Sequence, residues 1–155
     1  VWKLTRKLWE MKYNDWPDLT WGLILGNNLT TFNVNGKPSP QKDRLFSILV
    51  SVAWHLIWNL RVDRVITNPD KVVTEAEIRD RHPEIHNRWL SIINSTLCRD
   101  RILTDKRKFG KMSFDKQVVL NTWSGFLLDE DSLPDDWIKI RGVLVGILPL
   151  RLGVG

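Results

Sequence analysis

The stretch Leu45-Phe46-Ser47-Ile48-Leu49-Val50-Ser51-Val52-Ala53-Trp54-His55-Leu56-Ile57-Trp58-Asn59-Leu60 decides the fold. Leu45, Leu49, Val52, Leu56 and Leu60 recur at helical spacing, and Phe46, Ala53 and Ile57 widen the apolar arc beyond one stripe. A helix apolar over most of its circumference is normally surrounded by others, so residues 43–66 are expected to form the central helix. The uncharged run is 16 residues long and carries Ser47, Ser51, His55 and Asn59, whereas a membrane span needs about 20 predominantly apolar residues. A buried helix and no membrane association are expected.

Upstream, Val1, Leu4, Leu8 and Met11 share one helix face with Lys3, Arg6, Lys7 and Glu10 between them, and Asn14-Asp15-Trp16-Pro17 stops that helix. A short helix follows at residues 19–25, ended by Gly26. Residues 27–42 hold four asparagines with Gly36, Pro38, Ser39 and Pro40, which is turn chemistry and predicts a mobile loop. Downstream of the central helix, Asn68-Pro69-Asp70 reads as its stop. Thr74-Glu75-Ala76-Glu77 is a capping box that opens another helix. Pro83 interrupts that helix or begins a second, with Ile85, Trp89, Ile92, Ile93 and Leu97 as its inner face. Ser113 is expected to cap a last long helix, with Val118, Val119, Trp123, Phe126 and Leu127 inside. Period-two alternation is confined to the region of Val143 and Val145. The expected architecture is all-α: one domain, residues 1–155, a bundle of four to six helices around the central apolar helix.

The 155 residues carry 23 Lys and Arg against 18 Asp and Glu, a net charge of +5, with 43% hydrophobic side chains. That composition is globular. A chain of this length buries about two-thirds of its unfolded surface, and needs neither metal nor disulfide to hold a core. The single cysteine, Cys98, excludes an internal disulfide and a paired-cysteine zinc site. It suits a reducing intracellular compartment, the expected localisation. No signal peptide is expected either, because Lys3, Arg6 and Lys7 have no uninterrupted apolar stretch behind them. Val1 stands where a methionine would, with Trp2 already in helical register, so the chain reads as a fragment of a longer one.

Charge is polarised along the chain. Residues 129–136 form an acidic turn, with Asp129, Glu130, Asp131, Asp135 and Asp136 and no base, leaving +10 on the other 147 residues. Residues 99–116 carry a net +4. There Arg99, Arg101, Lys106, Arg107, Lys108 and Lys111 are candidates for phosphate contacts, and Phe109 is a candidate ring for base stacking. The competing reading is a solvated helix end whose bases complement the macrodipole.

Four stretches together carry a family resemblance that spans the chain. They are residues 1–8 with Trp16-Pro17; residues 56–66, Leu-Ile-Trp-Asn-Leu-Arg-Val-Asp-Arg-Val-Ile; residues 100–111, Asp-Arg-Ile-Leu-Thr-Asp-Lys-Arg-Lys-Phe-Gly-Lys; and residues 128–137, Leu-Asp-Glu-Asp-Ser-Leu-Pro-Asp-Asp-Trp, with Gly142-Val143-Leu144-Val145-Gly146. The chain resembles the C-terminal region of fungal retroelement-derived proteins, abundant in mushroom-forming species, that carry a ribonuclease H domain and sometimes a reverse transcriptase. In that family a Cys/His zinc knuckle precedes such a region. Neither the knuckle cysteines nor the acidic ribonuclease H core maps onto these residues, so the resemblance implies descent and not activity. Residues 79–84 lengthen one segment relative to the family pattern.

The resulting expectation is a non-catalytic, nucleic-acid-associated module that binds RNA or single strands through its basic segment. Its partners would include an upstream ribonuclease H domain or a second copy of itself. The alternative is a protein-interaction or self-association domain, built on the nine tryptophans and the opposed charge blocks. A third reading is a metal-dependent nuclease using Asp129, Asp131 and Asp135. It is disfavoured because catalytic carboxylates usually converge from separated elements, whereas these flank Pro134 in one turn. No metal or cofactor is expected. His82 and His86, four apart, are read as a surface pair, His55 as a hydrogen-bonded core residue and Cys98 as a small buried one.

Overall fold

A computed structural model describes residues 1–67, 69, 72 and 74–151. The fold is all-α: α1 (Trp2–Trp9), α2 (Trp21–Leu25), α3 (Pro40–Val62), α4 (Glu75–Asp80), α5 (His82–Leu103), α6 (Lys106–Phe109) and α7 (Lys116–Trp123), with one small hairpin, β1 (Asn33–Val34) and β2 (Lys37–Pro38). Among the described residues α3 and α5 are the two long elements, of 23 and 22 residues. The other helices are short; α1, α2 and α7 pack on α3, and α4 on α5.

Helix α3 is central, as its apolar arc requires. Leu45, Phe46, Leu49, Val50, Ala53 and Leu56 are fully buried, against Leu8 and Trp9 of α1, Trp89, Ile93 and Leu97 of α5, and Val119 and Trp123 of α7 in one core cluster. By length and composition alone the stretch Pro40–Thr67 could cross a bilayer; in this fold its apolar side supplies the core. A π-turn, Asp63–Thr67, ends it, and of the expected stop Asn68-Pro69-Asp70 the residues Asn68 and Asp70 lie outside the described residues.

The segment 27–42, where a mobile loop is expected, carries a 3₁₀ turn, a short hairpin and the first residues of α3. Asn35 and Gly36 both have positive φ, 52° and 75°, which is the geometry of a tight two-residue hairpin turn. They pair Asn33 with Pro38 and Val34 with Lys37. The Phe32 N–H donates to Asp43 Oδ1 at 2.6 Å, the Ser39 N–H to Phe32 O at 2.9 Å, and α3 starts at Pro40. Lys42 is buried. Its ammonium donates to Asp15 Oδ2 at 2.6 Å and lies 4.8 Å from the Tyr13 ring, 5.1 Å from Phe32 and 5.6 Å from Trp9. A desolvated cation over aromatic faces is attracted by their quadrupoles, so this lysine fastens the hairpin and the end of α1 to α3.

The Thr74 cap forms as the sequence indicates, its Oγ1 accepting from the Glu77 N–H at 3.2 Å. Pro83 opens α5, where its missing N–H costs nothing. The last helix differs from expectation at both ends. Asp115, not Ser113, is its cap, accepting from the N–H groups of Gln117 at 2.8 Å and Val118 at 3.2 Å, while the Ser113 hydroxyl donates to Gly110 O. The helix stops at Trp123 because the chain turns through Gly125 at φ 89°. Phe126 and Leu127 are buried outside it, and Val118 is exposed.

Beyond α7 the chain closes on the core in extended form. Leu127 and Val145 form an antiparallel bridge, and Val143, Val145 and Ile147 alternate inward, which is the period-two signal noted above. Asn94 Oδ1 accepts from the Val145 N–H at 2.9 Å, and Asn87 exchanges two hydrogen bonds of 2.8 Å with the Leu150 backbone. His86 is buried, not on the surface, with Nε2 2.9 Å from Leu148 O and its ring 6.3 Å from that of His82. His55 is exposed, with Nε2 3.1 Å from Asn59 Nδ2, because the core face of α3 runs through Ala53 and Leu56 and leaves residue 55 opposite. Of the buried indoles, Trp123 finds a partner in Asp100, while the N–H groups of Trp9, Trp89 and Trp137 have none among the described residues.

Candidate nucleic-acid interface

The C-terminal end of α5 is pinned by the buried carboxylate of Asp100. It accepts from Arg44 on α3 and from the Trp123 indole on α7, each at 2.8 Å, so one side chain sets three helices in register. One turn later the chain leaves α5. Asp105 caps α6 through the Arg107 N–H at 3.0 Å, the Phe114 N–H returns to Leu103 O at 2.9 Å, and Asp115 then caps α7. Arg101 reaches the other way: its guanidinium donates to Ile138 O at 3.1 Å and to Ile140 O. These bonds draw residues 138–142 alongside the end of α5, and the space between is a groove of about 1110 Å³.

Seven bases line this groove: Arg101, Lys106, Arg107, Lys108, Lys116, Lys139 and Arg141. The acids in the lining are Asp105 and Asp115, and both turn their carboxylates to helix N-termini. Ile102, Leu120 and Ile138 form apolar wall between the charges. Asp136 at the edge takes Lys116 and, at 3.8 Å, Lys139. The hydrogen bond from Lys116 holds the Asp136 carboxyl below its ordinary range against the opposing effect of desolvation, and the charges of Lys116 and Lys139 add to the lowering. Lys106, Arg107, Lys108 and Arg141 make no ion pair among the described residues. The partners of Arg101 are neutral carbonyls, which orient its charge without cancelling it.

Of the residues singled out from sequence, Arg101, Lys106, Arg107 and Lys108 come together here. Arg99 is exposed on the last turn of α5 and Lys111 on the turn Gly110–Met112, and neither lines the groove. Phe109 is half-buried and outside the lining, so the groove contains no aromatic ring. Lys139 and Arg141 complete the far wall. Their signal in the sequence is weak because they follow the acidic block, whose net charge masks two bases set two residues apart. Cys98 is exposed at the groove and not buried, since Leu97 takes the inward position of that helical turn.

The acidic block has other work. The Glu130 carboxylate accepts from the N–H groups of Gly125 and Leu127, closing the turn after α7. Asp129, Asp131 and Asp135 are exposed, and no three His, Cys, Asp or Glu side chains converge as metal ligands among the described residues. No protein family, curated protein or solved structure matches this chain.

Proposed function

We propose that this chain is a non-catalytic nucleic-acid-binding module that holds the phosphates of RNA or another single strand in the basic groove. The observation that carries the reading is the gathering of seven bases from four separate segments onto one concave surface whose two acids are engaged as helix caps. Clustered cations bind polyanions by releasing condensed counterions, and this needs no base-specific chemistry. The resemblance to the tail of retroelement ribonuclease H proteins points the same way, since such a parent protein works on RNA; any cleavage would belong to an upstream domain. The test is binding of a labelled single-stranded RNA at low salt by the native chain and by the Lys106→Glu/Arg107→Glu/Lys108→Glu variant. The variant should bind far more weakly. An equal loss from reversing three exposed bases elsewhere, Lys37, Arg64 and Arg79, would reduce the reading to non-specific attraction.

A second reading, self-association, is favoured by one observation: Trp58, Val65 and Ile66 are exposed together at the C-terminal end of α3 and its π-turn. A mass that rises with concentration in sedimentation, without RNA binding, would put that reading ahead.

A further inference from the structure

We propose that a second site, a tryptophan-lined cleft between α1, α2 and α3, stacks an unpaired nucleobase, so that the ligand is single-stranded and not duplex nucleic acid. This rests on the nucleic-acid reading above and adds the base recognition that the ring-free groove lacks.

The cleft, of about 850 Å³, is lined by Trp2, Trp16, Trp21 and Trp54 with Lys3 and Arg6 beside them. Trp2, Trp16 and Trp54 lean against the core, which fixes three of the four rings. Trp21 does not. It is 68% exposed and stands edge-on to Trp54, with centroids 5.5 Å apart and ring planes at 89°. Thr20, capping α2 through the Leu23 N–H at 3.2 Å, holds the turn that presents it. An indole that contributes nothing to the core and is held by a capped turn at the mouth of an aromatic cleft offers a π-face to a ligand.

The surrounding charge selects the kind of ligand. Helix α1 has no acid in its first turn, and Lys3 makes no ion pair among the described residues. Arg6 is shared with Glu10 at 2.7 Å, and Asp18 is the acid in the cleft lining. Aromatic faces with the Lys3 ammonium at the rim, unpaired among the described residues, suit a planar base carrying a phosphate, the combination that single-strand-binding proteins use. A duplex keeps its bases stacked on one another and presents none to such a cleft.

The experiment compares a ten-nucleotide oligoadenylate RNA with an abasic phosphodiester strand of the same length. The native chain should bind the oligoadenylate tighter by roughly 5- to 150-fold, the worth of one stacked base. Trp21→Ala should bring that ratio close to one while leaving the abasic affinity unchanged, and Trp21→Phe should keep most of it. Because Trp21 lies outside the core, circular dichroism should show both variants folded. Equal binding of the two strands by the native chain would overturn the cleft and leave the groove standing. A ratio unchanged in Trp21→Ala would place stacking elsewhere and overturn it too. If neither strand binds, the groove reading fails, and adenosine alone decides: quenching of indole emission in the native chain and not in Trp21→Ala supports the cleft, and no quenching sinks it.

Discussion

Replacing Asp100 with alanine should be the most damaging single change at the end of α5. The carboxylate is buried and accepts from the Arg44 guanidinium and the Trp123 indole, each at 2.8 Å. Its removal leaves the fully buried Trp123 N–H without an acceptor, which costs about 1–3 kcal/mol. It also strands a guanidinium, and breaking a buried pair costs about 3–5 kcal/mol when the remaining charge is fully enclosed. The Arg44 side chain is 24% exposed, so water recovers part of that second loss. The expected total is about 3–4 kcal/mol, read as a lowered midpoint in urea by both circular dichroism and tryptophan emission. For a domain of this size it corresponds to a melting temperature lower by roughly 6–15 °C. Asp100→Asn keeps an acceptor and loses the charge, and should cost about half as much. In a Trp123→Phe background, where no indole N–H remains to be orphaned, Asp100→Ala should cost at least about 1 kcal/mol less than in the native chain. A cost below about 1 kcal/mol for Asp100→Ala, or strict additivity of the two changes, would refute the pinning role.

Leu56→Ala, at the fully buried face of α3, should cost about 2–5 kcal/mol in the same urea titration, and a negligible loss would mean that α3 is not central. The Asp136 carboxyl should titrate below its ordinary range by NMR and return towards it in Lys116→Met. Because its folded value is depressed, the stability it contributes is present above the unfolded carboxylate value and is lost as pH falls through the lower folded one. An ordinary titration in the native chain would remove the Lys116 link. Adding zinc or a chelator should leave the melting temperature unchanged, since no ligand set converges among the described residues, and a sharp fall under chelation would contradict this.

The sequence was most legible where local chemistry had one outcome. The Leu45, Leu49 and Leu56 stripe and the Thr74 cap stand as the residues imply, and of the two readings of Pro83 the helix start is the one the fold adopts. Asn35-Gly36 was equally explicit, since two adjacent residues that tolerate positive φ favour a tight hairpin, but it was submerged among other turn residues in 27–42. The burial of Lys42 had no local signal: its aromatic cage draws on Trp9 and Tyr13, at and just beyond the end of α1, and on Phe32 before the hairpin, both distant in sequence from Lys42. His55 and Cys98, both expected inside and both exposed, share a cause. Each sits among apolar neighbours in a helix, and only the choice of packing partner decides which side of so apolar a helix faces out. For the groove, residues 101–108 could be found by charge alone, whereas Lys139 and Arg141 join them through Arg101 bonding to carbonyls 37 and 39 residues away, a pairing that sequence spacing does not encode.

The central claim is that uncancelled charge in the groove binds phosphates, and the salt dependence of RNA affinity tests it most directly. Fluorescence anisotropy of a labelled single strand over a range of salt gives the slope of log affinity against log salt. At about 0.7 per phosphate contact, reversing Lys106, Arg107 and Lys108 to Glu should reduce that slope by roughly two units, while reversing Lys37, Arg64 and Arg79 should leave it nearly unchanged. The same slope in the groove variant as in the native chain, or no binding by the native chain even at low salt, would contradict the account.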